Sequence, residues 1–107
     1  MQLLMVKLTA KPGQGDALLA IVSKFMMRGP VAHGLVRYSM GRDEDAPEEF
    51  ILSEEWPSTQ ALEAFLNTPM FHEFAGTMLP LLMRPPESLL YRIVASIGDT
   101  SHPAKAD

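Results

Sequence analysis

The sequence of 107 residues contains no cysteine, which excludes a disulfide framework and thiol chemistry. The absence fits a reducing compartment, and we expect a cytoplasmic protein. The first residues lack a basic segment, and their apolar run is too short for a signal peptide. Long apolar runs are also missing, since none approaches the length of a membrane span. We therefore predict no membrane partner.

Positive charge is sparse as well, with nine Lys and Arg against 13 Asp and Glu and a net charge of −4. The basic residues are scattered singly, whereas a nucleic-acid partner requires clustered Lys and Arg. The three histidines, His33, His72 and His102, are far apart in the sequence and show no metal-ligand spacing. We therefore predict no nucleic-acid partner, no metal and no other cofactor.

Apolar residues are abundant, at 47% of the chain, and eight of them are methionine. Methionine is flexible and polarisable, and it suits cores and pockets of irregular shape. The length is that of one domain with a substantial core. We predict one domain over residues 1–95, enclosing an apolar pocket, followed by a polar C-terminal tail over residues 96–107.

Strand and helix signals alternate along the chain. Period-two alternation marks the strands, helical spacing marks the apolar helix stripes, and Ser, Thr and Pro mark the helix starts. The predicted elements are a strand over Gln2–Ala10, a helix from Asp16 to Arg28, strands over Gly34–Arg42 and Glu49–Trp56, a helix capped by Ser58, a helix capped by Thr68 and a strand over Ser88–Ala95. This order, βαββαβ, predicts an α+β fold with a ferredoxin-like split antiparallel sheet and its helices on one face.

The first and last strands carry apolar residues on both of their faces. They read Leu3-Leu4-Met5-Val6 and Leu89-Leu90-Tyr91-Arg92-Ile93-Val94. An antiparallel sheet with one face in water alternates more cleanly, and the helices cover only one face. An open apolar face of this size favours association. We therefore predict a homodimer through the sheet face opposite the helices.

Several segments, in this order, resemble the antibiotic biosynthesis monooxygenase (ABM) family of dimeric α+β barrel proteins. They are Thr9-Ala10-Lys11-Pro12-Gly13, Gly34-Leu35-Val36-Arg37-Tyr38, Glu54-Glu55-Trp56 ahead of Ala61-Leu62-Glu63-Ala64, and Thr68-Pro69. The resemblance runs from Leu3 to Val94. It implies a dimeric α+β barrel, with a pocket between sheet and helices in each subunit. Members include cofactor-independent oxygenases of polycyclic phenols, haem-degrading enzymes and small-molecule isomerases.

The sequence departs from that family at several polar positions. Many members carry histidines where this chain has Phe65 and Met70. The haem-ligating histidine of the haem-degrading members corresponds to Ala75, which cannot ligate iron. The asparagine and tyrosine of the anthrone-oxidising members correspond to Leu52 and Leu62. Haem degradation is therefore the least favoured activity.

Glu54 is the leading candidate for a catalytic residue. It lies between Leu52 and Trp56 on the more apolar face of its strand, where a lone charged carboxylate is costly. Burial would raise its pKa and make it a general base. The alternative is a structural ion pair with Arg37 or Arg92.

Two aromatic residues and two histidines complete the candidate site. Trp56 offers a flat wall for an aromatic ligand, or else serves as a core anchor. Tyr38 offers a hydroxyl to a developing oxyanion, or else simply packs in the sheet. His72 falls off the apolar stripe of its helix, and His33 precedes a turn. Both histidines are weaker candidates at the rim of the pocket.

The predicted pocket lining is apolar, and it implies a hydrophobic ligand. The candidates are Met40, Phe50, Leu52, Leu62, Phe65, Met70, Phe71, Phe74 and Met78. The leading hypothesis, which rests on the resemblance, is cofactor-independent oxygenation of a planar hydrophobic phenol, quinol or polyketide-like molecule. A non-catalytic binding module for an apolar small molecule and a small-molecule isomerase or cyclase remain open alternatives.

Overall fold

A computed structural model describes residues 1–97 of the chain, so the predicted tail lies outside the described residues from position 98 onward. In chain order the elements are β1 (Gln2–Thr9), α1 (Gly15–Met26), α2 (Gly29–Ala32), β2 (Arg37–Arg42), β3 (Glu49–Trp56), α3 (Thr59–Leu66), α4 (Pro69–Met78) and β4 (Glu87–Arg92). A 3-10 turn over Leu79–Leu81 follows α4.

The four strands form one sheet in the order β2-β3-β1-β4, and all neighbouring strands are antiparallel. Each of the two helical crossovers, β1 to β2 and β3 to β4, skips a position in the sheet, which is the split pattern of a ferredoxin-like fold. The predicted fold class, an α+β ferredoxin-like sheet with its helices on one face, is confirmed.

Side-chain caps begin the two helices that follow β3. The Ser58 Oγ accepts a hydrogen bond from the backbone N of Ala61 at 3.0 Å. The Thr68 Oγ1 accepts one from the backbone N of Phe71 at 3.1 Å, and Pro69 occupies the first turn. These contacts satisfy amide groups that lack an intrahelical partner. Both caps were predicted from the sequence.

The segment between α1 and β2 differs from the prediction. The helix α1 ends at Met26, a separate turn α2 spans Gly29–Ala32, and the second strand begins at Arg37 rather than at Gly34. Pro30 fits a first helical turn because its fixed φ suits a helix and its missing N–H is not needed there. Gly34 has a φ of 103°, so it forms a turn and not a strand.

The last strand is shorter than predicted and ends at Arg92 instead of Ala95. Its partner β1 begins at Gln2, which pairs with Arg92. Beyond that pair the backbone N of Ile93 reaches the Met1 carbonyl at 3.0 Å, and no further β1 residue is available for pairing.

The two faces of the sheet differ in burial. The face beneath the helices carries fully buried residues such as Leu8, Phe50 and Trp56, which pack against α1 and α3. The opposite face carries an apolar patch, called here the outer apolar face: Leu3, Met5, Ile51, Leu89 and Tyr91. Leu89 is 60% exposed and Tyr91 is 50% exposed. The core of the single chain therefore lies wholly between the sheet and the helices.

Candidate functional site

A cavity of about 430 Å³ lies between the inner face of the sheet and the helices α1, α3 and α4. This volume is within the range of small-molecule sites. Its lining residues are Leu4, Val6, Leu8, Val22, Phe25, Met26, Leu52, Glu54, Leu62, Phe65, Leu66, Phe71, Phe74, Met78, Pro86 and Ser88. Of these, only Glu54 and Ser88 are polar. The cavity suits a hydrophobic ligand that presents few polar groups.

Glu54 is the ionisable side chain of this cavity. It lies on β3 with 8% of its surface exposed, and its Oε1 accepts a hydrogen bond from the Trp56 Nε1 at 3.0 Å. Burial raises the pKa of the Glu54 carboxyl above its usual value, and the bond from Trp56 opposes part of that rise. An apolar cavity with a carboxyl of raised pKa is a place where a proton can be accepted and returned.

Trp56 is fully buried and does not belong to the cavity lining. Its indole stacks on Phe65, with ring centroids 5.3 Å apart, and Phe65 does line the cavity. The ring nitrogen is used by Glu54. Trp56 is therefore separated from the cavity by the Phe65 ring, and its indole N–H orients the Glu54 carboxylate.

Tyr38 on β2 faces Glu54 across the sheet, because the two residues are partners in the β2–β3 register. Its hydroxyl is buried and has no hydrogen-bond partner within residues 1–97. Burial, and then the charge of Glu54, raises the pKa of Tyr38 to about 12. Tyr38 borders a smaller depression of about 240 Å³ with Met26 and Leu35, rather than the main cavity.

Arg37 and Arg92 were the arginines expected as alternative ion-pair partners of Glu54. Each lies beside another residue of the sheet. The Arg37 Nε lies 3.6 Å from a carboxylate oxygen of Glu55, its partner in the register between β2 and β3. Arg92 is exposed at the end of β4 and pairs with Gln2 in the sheet. The donor to the Glu54 carboxylate is the indole N–H.

The predicted lining residues divide into two groups. The cavity is lined by Leu52, Leu62, Phe65, Phe71, Phe74 and Met78. Three others lie elsewhere: Met40 is half-buried beside the core, Phe50 is buried under the Arg42 guanidinium, and Met70 lines a groove outside α4. The alternation of β2 and β3 places Met40 and Phe50 on the correct sheet face. Met40 lies to the side of the cavity, on the edge strand β2, and Phe50 lies nearer the start of β3.

Both candidate histidines are exposed. His33 ends α2, and its ring centroid lies 5.5 Å from that of Phe65. His72 lies on α4 with its ring 6.4 Å from that of Phe71. Neither belongs to the cavity lining.

Sequence reasoning missed the contribution of β1 and α1 to the cavity. The residues concerned are Leu4, Val6, Leu8, Val22, Phe25 and Met26, together with Leu66, Pro86 and Ser88 elsewhere. The apolar stripe of α1 and the inward alternation of β1 are visible in the sequence. They predict a core face, and only the packing shows that part of this face lines a cavity.

Within residues 1–97, no group of three or more His, Asp or Glu side chains is placed to hold a metal ion. Over the same residues, the helices are all too short or too polar to cross a membrane.

The fold and this cavity define a class of ferredoxin-like α+β proteins with a pocket beneath the helices. The sequence model of the antibiotic biosynthesis monooxygenase family matches residues 1–77. The chain belongs to that family.

Individual proteins show the same likeness. The chain is 31% identical over 83 residues to the uncharacterized protein sll1783 from Synechocystis sp., a match that covers 78% of this chain and 56% of that protein. The chain therefore spans little more than half of the length of this relative. It is also similar in fold to a crystal structure of an antibiotic biosynthesis monooxygenase, with a TM-score of 0.79, 20% identity and coverage of 89% and 100% of the two chains.

A third similar protein is Rv0793 from Mycobacterium tuberculosis, with a TM-score of 0.79, 18% identity and coverage of 91% of this chain and 98% of that chain. At such identities the two solved structures establish the fold alone.

Proposed function

We propose that this protein is a cofactor-independent monooxygenase that acts on a planar hydrophobic phenol, quinol or polyketide-like molecule. The observation that carries the proposal is the carboxyl of Glu54, which is buried in an apolar cavity and held by the Trp56 indole at 3.0 Å. Membership of the monooxygenase family supports the same reading.

The reaction converts a methylene carbon of the substrate into a carbonyl. Glu54 removes a proton, and the resulting carbanion transfers electrons to dioxygen and forms a carbon–oxygen bond. The peroxide formed takes the proton back from Glu54. Glu54 then removes the second hydrogen of the carbon as a proton, the O–O bond breaks, and the leaving hydroxide takes that proton and departs as water. One oxygen atom enters the product, one becomes water, and Glu54 ends unprotonated.

The neighbours of Glu54 have separate roles in this scheme. Tyr38 does not line the cavity; its hydroxyl, with a pKa of about 12, stays protonated at neutral pH and so adds no charge beside Glu54. Trp56 holds the Glu54 carboxylate by a hydrogen bond. Its indole stacks on Phe65, and the Phe65 ring is the wall that contacts the substrate. The apolar walls exclude water and so favour proton transfer to carbon-bound sites.

The functional unit in this proposal is a homodimer formed through the outer apolar face. Its exposed leucine, isoleucine and tyrosine side chains form the kind of contiguous patch that a second copy buries. The face is isologous, so one patch provides both halves of the contact.

A second candidate is a binding module that holds an apolar molecule without converting it. The observation that favours it is the shortage of polar groups: Phe65 lines the cavity where many relatives were expected to carry a histidine. Only Glu54 and Ser88 among the lining residues offer hydrogen bonds.

The test is oxygen uptake by the purified protein with anthrone and a panel of dihydroquinones. Glu54→Gln keeps an acceptor for the indole but removes the base, and we expect turnover to fall by about 100-fold or more. The control is Glu63→Gln, an exposed glutamate on α3 outside the cavity lining, which should leave turnover unchanged.

The other outcomes are equally specific. Uptake that is equal in wild type and Glu54→Gln overturns the role of Glu54. A ligand that binds tightly and is never converted identifies the binding module. Conversion that continues without dioxygen identifies an isomerase or cyclase.

A further inference from the structure

A second concavity lies on the other side of the helical layer from the cavity. It is a groove of about 650 Å³ between α1 and α4, called here the outer groove. Its lining residues are Ile21, Lys24, Phe25, Arg28, Gly29, Met70, Glu73, Phe74 and Thr77. Two of them, Phe25 and Phe74, also line the inner cavity. The two spaces are therefore separated at this point by one layer of aromatic rings.

The two rings form a closed pair across the helix interface. Their centroids are 3.9 Å apart and their planes differ by 5°, with Phe25 on α1 and Phe74 on α4. Both side chains are half-buried. A side-chain rotation of either ring needs no change of backbone hydrogen bonding. The pair is thus a partition that side-chain rotation alone would open.

The buried end of the outer groove has no room for further side chains. A Cβ on Gly29 would lie 2.5 Å from the Met70 sulfur and 3.2 Å from the Phe25 ring. The absence of a side chain at Gly29 allows Phe25 and Met70 to pack there. Because this end of the groove is filled, the groove adjoins the cavity at the Phe25 and Phe74 rings.

The rim of the outer groove carries an excess of positive charge. Lys24 and Arg28 are exposed and four residues apart at the end of α1, and Glu73 is the acidic residue of the lining. Side chains four residues apart lie on the same side of a helical turn. In a chain with a net charge of −4, this local excess attracts anions to the groove.

We propose that the ligand of the cavity enters from the outer groove through the Phe25–Phe74 partition. It is a planar aromatic molecule whose rings enter the cavity while an anionic group stays at the rim beside Lys24 and Arg28. The inference rests on the proposed function, since it assigns the route and the charge of the same ligand. The competing route is the edge of the cavity at Pro86 and Ser88, beside β4.

The test uses pyrene-1-sulfonate, a planar aromatic anion that fluoresces, with its association followed by stopped-flow fluorescence. Phe74→Ala removes half of the partition, and we expect the association rate constant to rise about tenfold. Phe74→Leu, which keeps an apolar side chain but loses the ring stack, should change it in the same direction. The control is Met78→Ala, a truncation on the same helix at a residue that lines the cavity but not the groove.

The charge of the ligand is tested at the rim. Arg28→Gln should lower the association rate constant about threefold at low salt, with the difference vanishing at high salt. Lys11→Gln, an exposed lysine on the loop after β1, is the control and should change nothing. Equal rates in Arg28→Gln and wild type at low salt overturn the anionic assignment.

The measurements distinguish a dye that does not bind in the cavity from a dye that enters it by another route. NMR shifts of the Val6 and Leu52 methyl groups show whether the dye occupies the cavity. If these methyls stay unshifted while anthrone or a dihydroquinone is still oxidised, the inference fails and the proposed function stands. If the methyls shift but Met78→Ala and Phe74→Ala change the rate equally, the route is wrong. A rate that falls with Ser88→Trp and ignores Phe74→Ala assigns entry to the β4 edge.

Discussion

At the scale of single residues, the site is a row across the sheet in which Tyr38, Glu54 and Leu4 face one another. The sequence alone predicts Glu54, because strict alternation along β3 leaves one carboxylate on an apolar face. The indole partner is also foreseeable, since residues two apart share a strand face. That Tyr38 is the neighbour of Glu54 depends on the β2–β3 register, which cannot be predicted from the sequence.

The Tyr38 hydroxyl carries a prediction of its own. A buried hydroxyl without a partner costs about 1–3 kcal/mol of unfolding free energy relative to a satisfied one. Tyr38→Phe should therefore leave stability unchanged or raise it by about 1 kcal/mol. Turnover should change little, because the hydroxyl lies outside the cavity lining. Urea denaturation measures the first effect and oxygen uptake the second.

A loss of stability in Tyr38→Phe would contradict this reading, because it would mean that the hydroxyl has a partner in the folded protein. A large fall in the turnover of a stable Tyr38→Phe variant would also contradict it, because the hydroxyl would then act on the substrate.

At the scale of elements, the sequence predicts what is periodic and misses what is local. The bounds of β3, Glu49–Trp56, match the prediction because Pro57 stops the alternation immediately after it. The turn α2 was not predicted, because Gly29-Pro30 indicated the end of a helix, whereas Pro30 also suits the first turn of a new one. The cavity was predicted to lie beneath the helices, but the share contributed by α1 depends on the angle at which that helix packs, which periodicity does not encode.

One cluster joins α1 to the β2–β3 hairpin. Arg42 Nη2 lies 2.9 Å from Asp16 Oδ1, and its Nε donates to the Pro47 carbonyl at 2.7 Å. The Glu48 Oε2 accepts from the backbone N of Gly13 at 2.6 Å. These contacts fix the start of α1 over the end of the hairpin.

Gly15 is the position where this cluster leaves no space for a side chain. A Cβ there would overlap the Glu48 Oε1 and lie 2.7 Å from the Pro47 carbonyl oxygen and 2.8 Å from the Arg42 Nη2. Gly15→Ala should cost about 1–3 kcal/mol of unfolding free energy, measured by urea denaturation.

The matched control is Gly76→Ala in α4, where a Cβ meets nothing within 4 Å. Alanine is the better helix former, so Gly76→Ala should gain up to about 1 kcal/mol. The same sign of effect at both glycines would contradict the packing of Gly15.

At the scale of the whole molecule, the proposed dimer depends on the outer apolar face. Wild-type protein should sediment as two chains, and Leu89→Lys should raise the dissociation constant about tenfold or more, because it places a charge among the apolar residues of that face. Met27→Lys is the control, since Met27 is 80% exposed but lies at the end of α1, away from the sheet.

A wild-type protein that sediments as one chain at working concentrations would contradict the dimer. So would equal effects of Leu89→Lys and Met27→Lys, because the contact would then not involve the outer apolar face.

The raised pKa of Glu54 also makes stability depend on pH. The folded state binds this proton more tightly than the unfolded state, so the contribution of Glu54 is fully present below the unfolded pKa. It is lost as pH rises through the higher, folded pKa. Glu54→Gln lacks this loss, so its stability relative to wild type should increase from acidic to neutral pH.

The proposed chemistry depends on the proton affinity of the buried Glu54 carboxyl. Carbon-13 NMR of the Glu54 side chain as a function of pH measures this affinity directly. We expect its midpoint to lie above the usual value of 4.5, because burial outweighs the bond from Trp56. In Trp56→Phe, which loses that bond, the midpoint should rise further. A midpoint at or below 4.5 in the wild-type protein would mean that the carboxyl is solvated or ion-paired, and Glu54 would not be the base.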